Sequence, residues 1–138
     1  MKILLASVAL FALAGCTATA ADVEAAQARA DEDRAELAEA IRGRVAGEPQ
    51  ACVNLRDLGS NRSAGNEAII FDGRTGGTIY VNRPPAGCPD LSFGRALQTR
   101  TPSTRLCRGD IATVFDPTSG AFYGSCGLGD FTPYRRVR

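Results

Sequence analysis

Four cysteines, Cys52, Cys88, Cys107 and Cys126, punctuate residues 51–138 of a 138-residue chain. A segment of that size buries only a modest apolar core, so covalent staples are expected to supply part of its stability. An even number of cysteines in an oxidising compartment implies two disulfides, each worth about 2–4 kcal/mol. The intervals of 36, 19 and 19 residues lack the closely spaced pairs of a zinc site. Three pairings are open. A barrel that closes its first strand on its last favours Cys52–Cys126, with Cys88–Cys107 nested inside.

The texture of residues 51–138 is all-β. Short apolar runs alternate with turn signals about every ten residues. Strands are expected at Ala51–Leu58, Glu67–Phe71, Gly77–Val81, Arg95–Arg100, Thr104–Cys107, Ile111–Phe115, Ala121–Cys126 and Phe131–Arg135. Asp72-Gly73-Arg74-Thr75-Gly76-Gly77 reads as a hairpin loop, and Asp116-Pro117-Thr118-Ser119-Gly120 as a turn. The expected fold is therefore mainly β, a small disulfide-stapled barrel or sandwich, with one α-helix before it.

That helix lies in an Ala-, Glu- and Arg-rich stretch without proline. It is expected to follow a tether at 16–21 and to form a stalk over 22–47. Asp22 can cap it, and Gly43 and Gly47 can end it. Asp31 with Arg34 and Glu39 with Arg42 stand three residues apart and can pair. Its apolar stripe is thin: Val23, Ala26, Ala30, Leu37, Ile41 and Val45. Only Leu37, Ile41 and Val45 in it are large, which fits a stalk with a weakly sticky C-terminal end; a coiled coil is the alternative, although Asp33 and Arg44 break the heptads.

The N-terminus carries an address. After Met1-Lys2 comes an apolar run, Ile3 to Leu13, too short to span a bilayer and of the length of a signal h-region. The stretch Leu13-Ala14-Gly15-Cys16 that follows closely resembles the lipobox of bacterial lipoproteins. The resemblance implies removal of residues 1–15, acyl chains on Cys16, and a membrane partner reached through those chains. Several chains anchor firmly where one is marginal. Thr17, rather than Asp, follows the cysteine, which by the same resemblance directs the protein to the outer membrane, facing the periplasm.

Composition narrows the chemistry. The chain has no His and no Trp, and Lys2 is its one Lys. No imidazole can act as base, proton shuttle or metal ligand, and a chain processed at Cys16 holds no lysine for a Schiff base. Residues 17–50 hold eight acidic residues and four Arg; residues 51–138 hold seven and eleven. The basic half suits an anionic glycan or an acidic envelope protein, and an exported chain meets little nucleic acid. Asp72, Asp110, Asp116 and Asp130 invite a paired-carboxylate reading, but each adjoins Gly or Pro in an expected turn. No cofactor, metal site or catalytic residue is expected. The basic tail Tyr134-Arg135-Arg136-Val137-Arg138 can touch an anionic surface, which makes Arg135 and Arg136 candidate binding residues.

Two further resemblances bear on function. Cys88-Pro89, Arg105-Leu106-Cys107-Arg108-Gly109-Asp110 and Ser125-Cys126-Gly127-Leu128-Gly129-Asp130-Phe131 together resemble a family of small bacterial envelope proteins, a domain of unknown function. That likeness brings no activity with it. Ser119-Gly120-Ala121-Phe122-Tyr123 is similar to the Ser-Gly-Ala-x-Tyr stretch of membrane-bound lysozyme inhibitors. It implies a small β-barrel lipoprotein whose serine, here Ser119, enters the cleft of a hydrolase beside a lysine that the processed chain lacks. Ser119 and Tyr123 become candidate binding residues on this ground. The expected role is non-catalytic binding or structural support in the envelope, with inhibition of a lysozyme-type hydrolase as the alternative.

Overall fold

The computed structural model describes residues 18–92 and 94–137. The signal segment 1–15 and the acylation site Cys16 lie outside the described residues. The chain is mainly β, with one helix near the N-terminus and two disulfides. The helix α1 spans Ala20–Ile41, and ten strands follow. They are β1 Arg44–Ala46, β2 Cys52–Asn54, β3 Leu58–Ala64, β4 Ala68–Gly73 and β5 Ile79–Asn82. The second half supplies β6 Ala96–Arg100, β7 Arg105–Cys107, β8 Ile111–Phe115, β9 Phe122–Gly127 and β10 Phe131–Arg136.

Three antiparallel sheets result, with orders β1-β10-β5-β4-β3, β2-β7 and β6-β8-β9. All three are open, so a closed barrel is not what forms. The five-stranded sheet is organised by β4. Its run Ala68-Ile69-Ile70-Phe71 is buried throughout, the mark of a strand covered on both faces. Ile69 and Phe71 join Phe131 and, from the other sheets, Val53, Leu97, Leu106 and Val114 in the main core. Ile70, with Ile79 and Val81 of β5, points the other way and meets Leu37, Ala40 and Ile41 of α1.

This packing corrects the expectation of a helical stalk over 22–47. The helix begins at Ala20, inside the expected tether, because Thr19 and not Asp22 is the N-cap. The Thr19 hydroxyl accepts from the Asp22 amide and the Asp22 carboxylate accepts from the Thr19 amide, a reciprocal capping box. It stops at Ile41 because Gly43 takes a φ of 65° and redirects the chain. Arg44–Ala46, expected to be helical, instead pairs with Tyr134–Arg136 of β10. The β domain thus starts before residue 51. The helix lies on the sheet through its C-terminal third, and its thin stripe suffices because it covers a small cluster of Ala64, Ala68, Ile70, Ile79 and Val81. Farther along, Gly65 comes so near Asp33 that any side chain at this position would collide with its carboxylate. The expected Asp31–Arg34 and Glu39–Arg42 pairs form at 3.0 and 2.5 Å on the exposed side.

Most strands lie where the alternation places them. Two differ: the expected strand Ala51–Leu58 is a short β2 followed by a 3-10 turn at Leu55–Asp57, and β3 continues from Leu58 through polar residues. One buried polar side chain stands out among the described residues. Asn82 is fully enclosed; its amide donates to Gly129 O at 2.7 Å and accepts from Gly129 N at 2.9 Å. The side chain does for Gly129 what a strand partner would do, so neither polar group is stranded.

The disulfides are Cys52–Cys107 and Cys88–Cys126, which corrects the expected pairing. That expectation assumed a barrel closing first strand on last. Here β2 pairs with β7, and Cys52 stands directly opposite Cys107. Cys126 of β9 faces the core, where it meets Cys88 from the loop after β5.

Two outcomes follow. Peptide mapping of the oxidised protein will find Cys52–Cys107 and Cys88–Cys126, and the Cys52→Ser/Cys107→Ser pair will lose about 2–4 kcal/mol of unfolding free energy. Leu37→Ala with Ile41→Ala will lower that free energy by about 1–2 kcal/mol, since both side chains are half-buried. A helix that stood free of the domain would leave it unchanged.

Candidate functional site

The β8–β9 hairpin carries three exposed large apolar side chains, Ile111, Phe122 and Tyr123. Its turn is built around Asp116, whose carboxylate accepts from Thr118 N at 2.7 Å and Ser119 N at 2.8 Å. Those two backbone donors hold the Asp116 carboxyl below the usual carboxylate range. Gly120, at φ 73°, closes the turn by donating to Asp116 O. Ser119 is exposed at this tip, and its hydroxyl accepts from Ala121 N at 3.3 Å.

Directly after the turn the ladder slips. Phe115 pairs with Phe122 but Val114 pairs with Gly124, which leaves Tyr123 as an extra residue on β9. Successive strand residues normally face opposite ways, and a bulge is what lets neighbours share a side. Phe122 and Tyr123 are accordingly both exposed, at 69% and 42%. The Arg95 guanidinium stacks 3.5 Å from the centre of the Tyr123 ring. Arg95 is itself held by Asp90, through the carboxylate at 3.1 Å and the carbonyl at 2.9 Å. The inner side of this sheet, with Leu97, Ala112, Val114 and Cys126, is core.

The structure brings Ser119 and Tyr123 to one end of one hairpin. Arg135 and Arg136 stand elsewhere, on β10 of the five-stranded sheet, opposite Val45 and Arg44. There, beyond the end of the helix, Arg44 donates to Ala40 O at 3.1 Å and to Gly77 O. Burial and the nearby charge of Arg136 lower the pKa of Arg44, against the pull of Asp72. Asp72 binds Ser60 and Arg62, each at 2.7 Å. Burial alone would raise its pKa, but these bonds and the charges of Arg62 and Arg44 bring it below the usual range.

The remaining aspartates have structural partners. Asp110 accepts from Cys107 N at 2.8 Å and Asp130 pairs with Arg108 at 3.0 Å. Among the described residues no group of three or more His, Cys, Asp or Glu gathers as metal ligands would.

A cleft that sequence reading missed opens between α1 and the sheet. It holds about 540 Å³, floored by Ala30, Leu37, Ala64 and Ala68 and rimmed by Arg83 and Glu67. A second hollow of about 530 Å³ under Pro84–Pro89 shares that rim. Nothing in residues 22–47 announces the cleft, since it exists only because the helix folds back on the sheet.

The depressed pKa of Asp72 fixes a sign. A carboxylate whose folded pKa lies below its unfolded value, near 3.9, stabilises fully above that value. The contribution is lost as pH falls through the folded value. The unfolding free energy of the protein will therefore fall as pH drops below about 4, and Asp72→Asn will flatten that acid limb. Urea titrations at about pH 7 and about pH 2.5 check this, and parallel curves for both proteins would refute it.

Comparison with protein-family models, curated proteins and solved structures finds no match, so the functional reading rests on the chain's own residues.

Proposed function

We propose that this chain is a lipoprotein of the bacterial outer membrane. Acyl chains on Cys16 anchor it, and its domain faces the periplasm. There it binds an envelope component, a protein or an anionic glycan, without catalysing a reaction on it. The Leu13-Ala14-Gly15-Cys16 stretch, with its resemblance to a lipobox, supports the anchor. Two disulfides that use all four remaining cysteines fit an oxidising compartment. The two-layered packing of the sheets is best described as a sandwich with a helix on its outer face.

One observation carries the binding role. The bulge at Tyr123 turns two neighbouring aromatic side chains out to solvent, and exposed apolar clusters of this kind mark interaction surfaces. The four aspartates that might have served as acids are engaged in turns and ion pairs, which supports a role without catalysis. Ser119, exposed at the tip of the same hairpin, favours one second reading: that the partner is a lysozyme-type hydrolase whose cleft the turn enters.

Labelled fatty acid will enter the wild-type protein and not Cys16→Ser, and the variant will leave the membrane fraction. Immobilised wild-type protein will retain a saturable envelope component that Phe122→Ala/Tyr123→Ala does not. Retention by both proteins alike, or by neither, would refute the role given to the hairpin. Slowing of lysozyme at equimolar ratio, lost in Ser119→Ala, would select the second reading.

A further inference from the structure

The bulged hairpin belongs to a flat face whose composition narrows the ligand. In the antiparallel ladder, residues directly opposite one another share a face. Three rows therefore lie on the solvent side of the β6-β8-β9 sheet. The first runs Ala96, Phe115, Phe122; the second Gln98, Thr113, Ser125; the third Arg100, Ile111, Gly127. Aromatic rings occupy one end, uncharged hydrogen-bonding groups the middle, and an exposed arginine the other end. No row contains an acidic side chain. The first row stands four residue steps from the third, Phe115 to Ile111, about 13 Å along the strand.

We propose that this face binds a polysaccharide strand that carries carboxylates. Phe122 and Tyr123 stack on sugar rings, the amide and hydroxyls of the middle row meet sugar hydroxyls, and Arg100 receives a carboxylate. The inference rests on the binding role proposed above and names the class of ligand. A pyranose ring offers an apolar C–H face that an aromatic ring can cover, and equatorial hydroxyls at its rim that Gln, Thr and Ser can donate to and accept from. A guanidinium matches a carboxylate with parallel hydrogen bonds. The charge argues in the same direction. Arg95 over Tyr123 is already paired with Asp90, so the charge open to a ligand is that of exposed Arg100 at the other end, and the three rows hold no carboxylate to oppose an anion there. Gly127 and Ala96 add little side chain to these rows, so a sugar ring can lie close against the sheet between the aromatic end and Arg100.

Calorimetric titration of the oxidised full chain in detergent tests the proposal with three probes. These are soluble peptidoglycan glycan strands, an oligogalacturonate, and the methyl ester of that oligogalacturonate. The two carboxylated probes are expected to bind and the ester to bind more weakly. Phe122→Leu and Tyr123→Leu should each weaken binding roughly tenfold, while Phe122→Tyr retains it. Arg100→Gln should abolish the preference for the acid over the ester, and Arg34→Gln on the exposed side of the helix should change nothing. Phe122 is largely exposed, so an unchanged unfolding midpoint will show that its variants are folded. Absence of binding to all three probes, or equal binding by wild type and Phe122→Leu, overturns the inference. If an envelope protein is retained through Phe122 and Tyr123 while no glycan binds, the binding role stands and this inference falls. If neither is retained, both fall.

Discussion

Four consecutive apolar residues at the start of one strand set the terms for the whole molecule. Ala68 to Phe71 bury both faces of β4, and a sheet with such an interior strand needs cover on two sides. One cover comes from the other two sheets, which the disulfides fasten: Cys52–Cys107 binds β2 to β7, and Cys88–Cys126 binds β9 to the loop after β5. The other cover is α1. A helix with a stripe as thin as Leu37, Ala40 and Ile41 would fray in water, and it is held because, with Tyr134, it covers the outward side of β4 and β5.

The way the helix is held also explains the polar groups around its end. The turn at Gly43 brings Arg44 back under the helix, where its guanidinium donates to Ala40 O and Gly77 O. The helix carbonyl end, which carries partial negative charge, thereby gains a cation that is outside the helix in sequence. The cost is a like-charged neighbour, since Arg44 stands directly opposite Arg136 in the β1–β10 ladder. Asp72, one strand cluster away, offsets part of it.

Legibility in the sequence followed the period of the side chains. Ile111–Phe115 and Phe131–Arg135 were readable because short runs rich in β-branched and aromatic residues stand beside turn residues, Gly109-Asp110 before the first and Gly129-Asp130 before the second. Residues 58–64, Leu-Gly-Ser-Asn-Arg-Ser-Ala, carry almost no apolar signal, because β3 is an edge strand with its middle in solvent. Arg44–Ala46 was unreadable for another reason: three residues in helix-forming company become a strand only because β10 offers an edge. The hairpin turn was legible from Asp116 to Gly120, yet the bulge beside it was not. No residue type announces that Phe115 pairs with Phe122 while Val114 pairs with Gly124, so the joint exposure of Phe122 and Tyr123 had to come from the structure. Disulfide partners were likewise beyond the spacing of the cysteines, which allows three pairings equally.

The order of strands in the large sheet has a bearing on how the chain is made. β10, the last strand in sequence, does not sit at an edge but between β1 and β5. The first strand therefore has no neighbour until residues 131–136 are present, and the helix runs directly into that strand. The end of α1 that lies on Ile70 and Val81 is not pinned through β1 for as long as that closing segment is missing. Contacts so distant along the chain form late, and apolar surface left waiting is surface that can aggregate. Completion of this fold is thus tied to arrival of its final strand, and a chain delivered end first must be kept from sticking until that strand slides into the gap held for it.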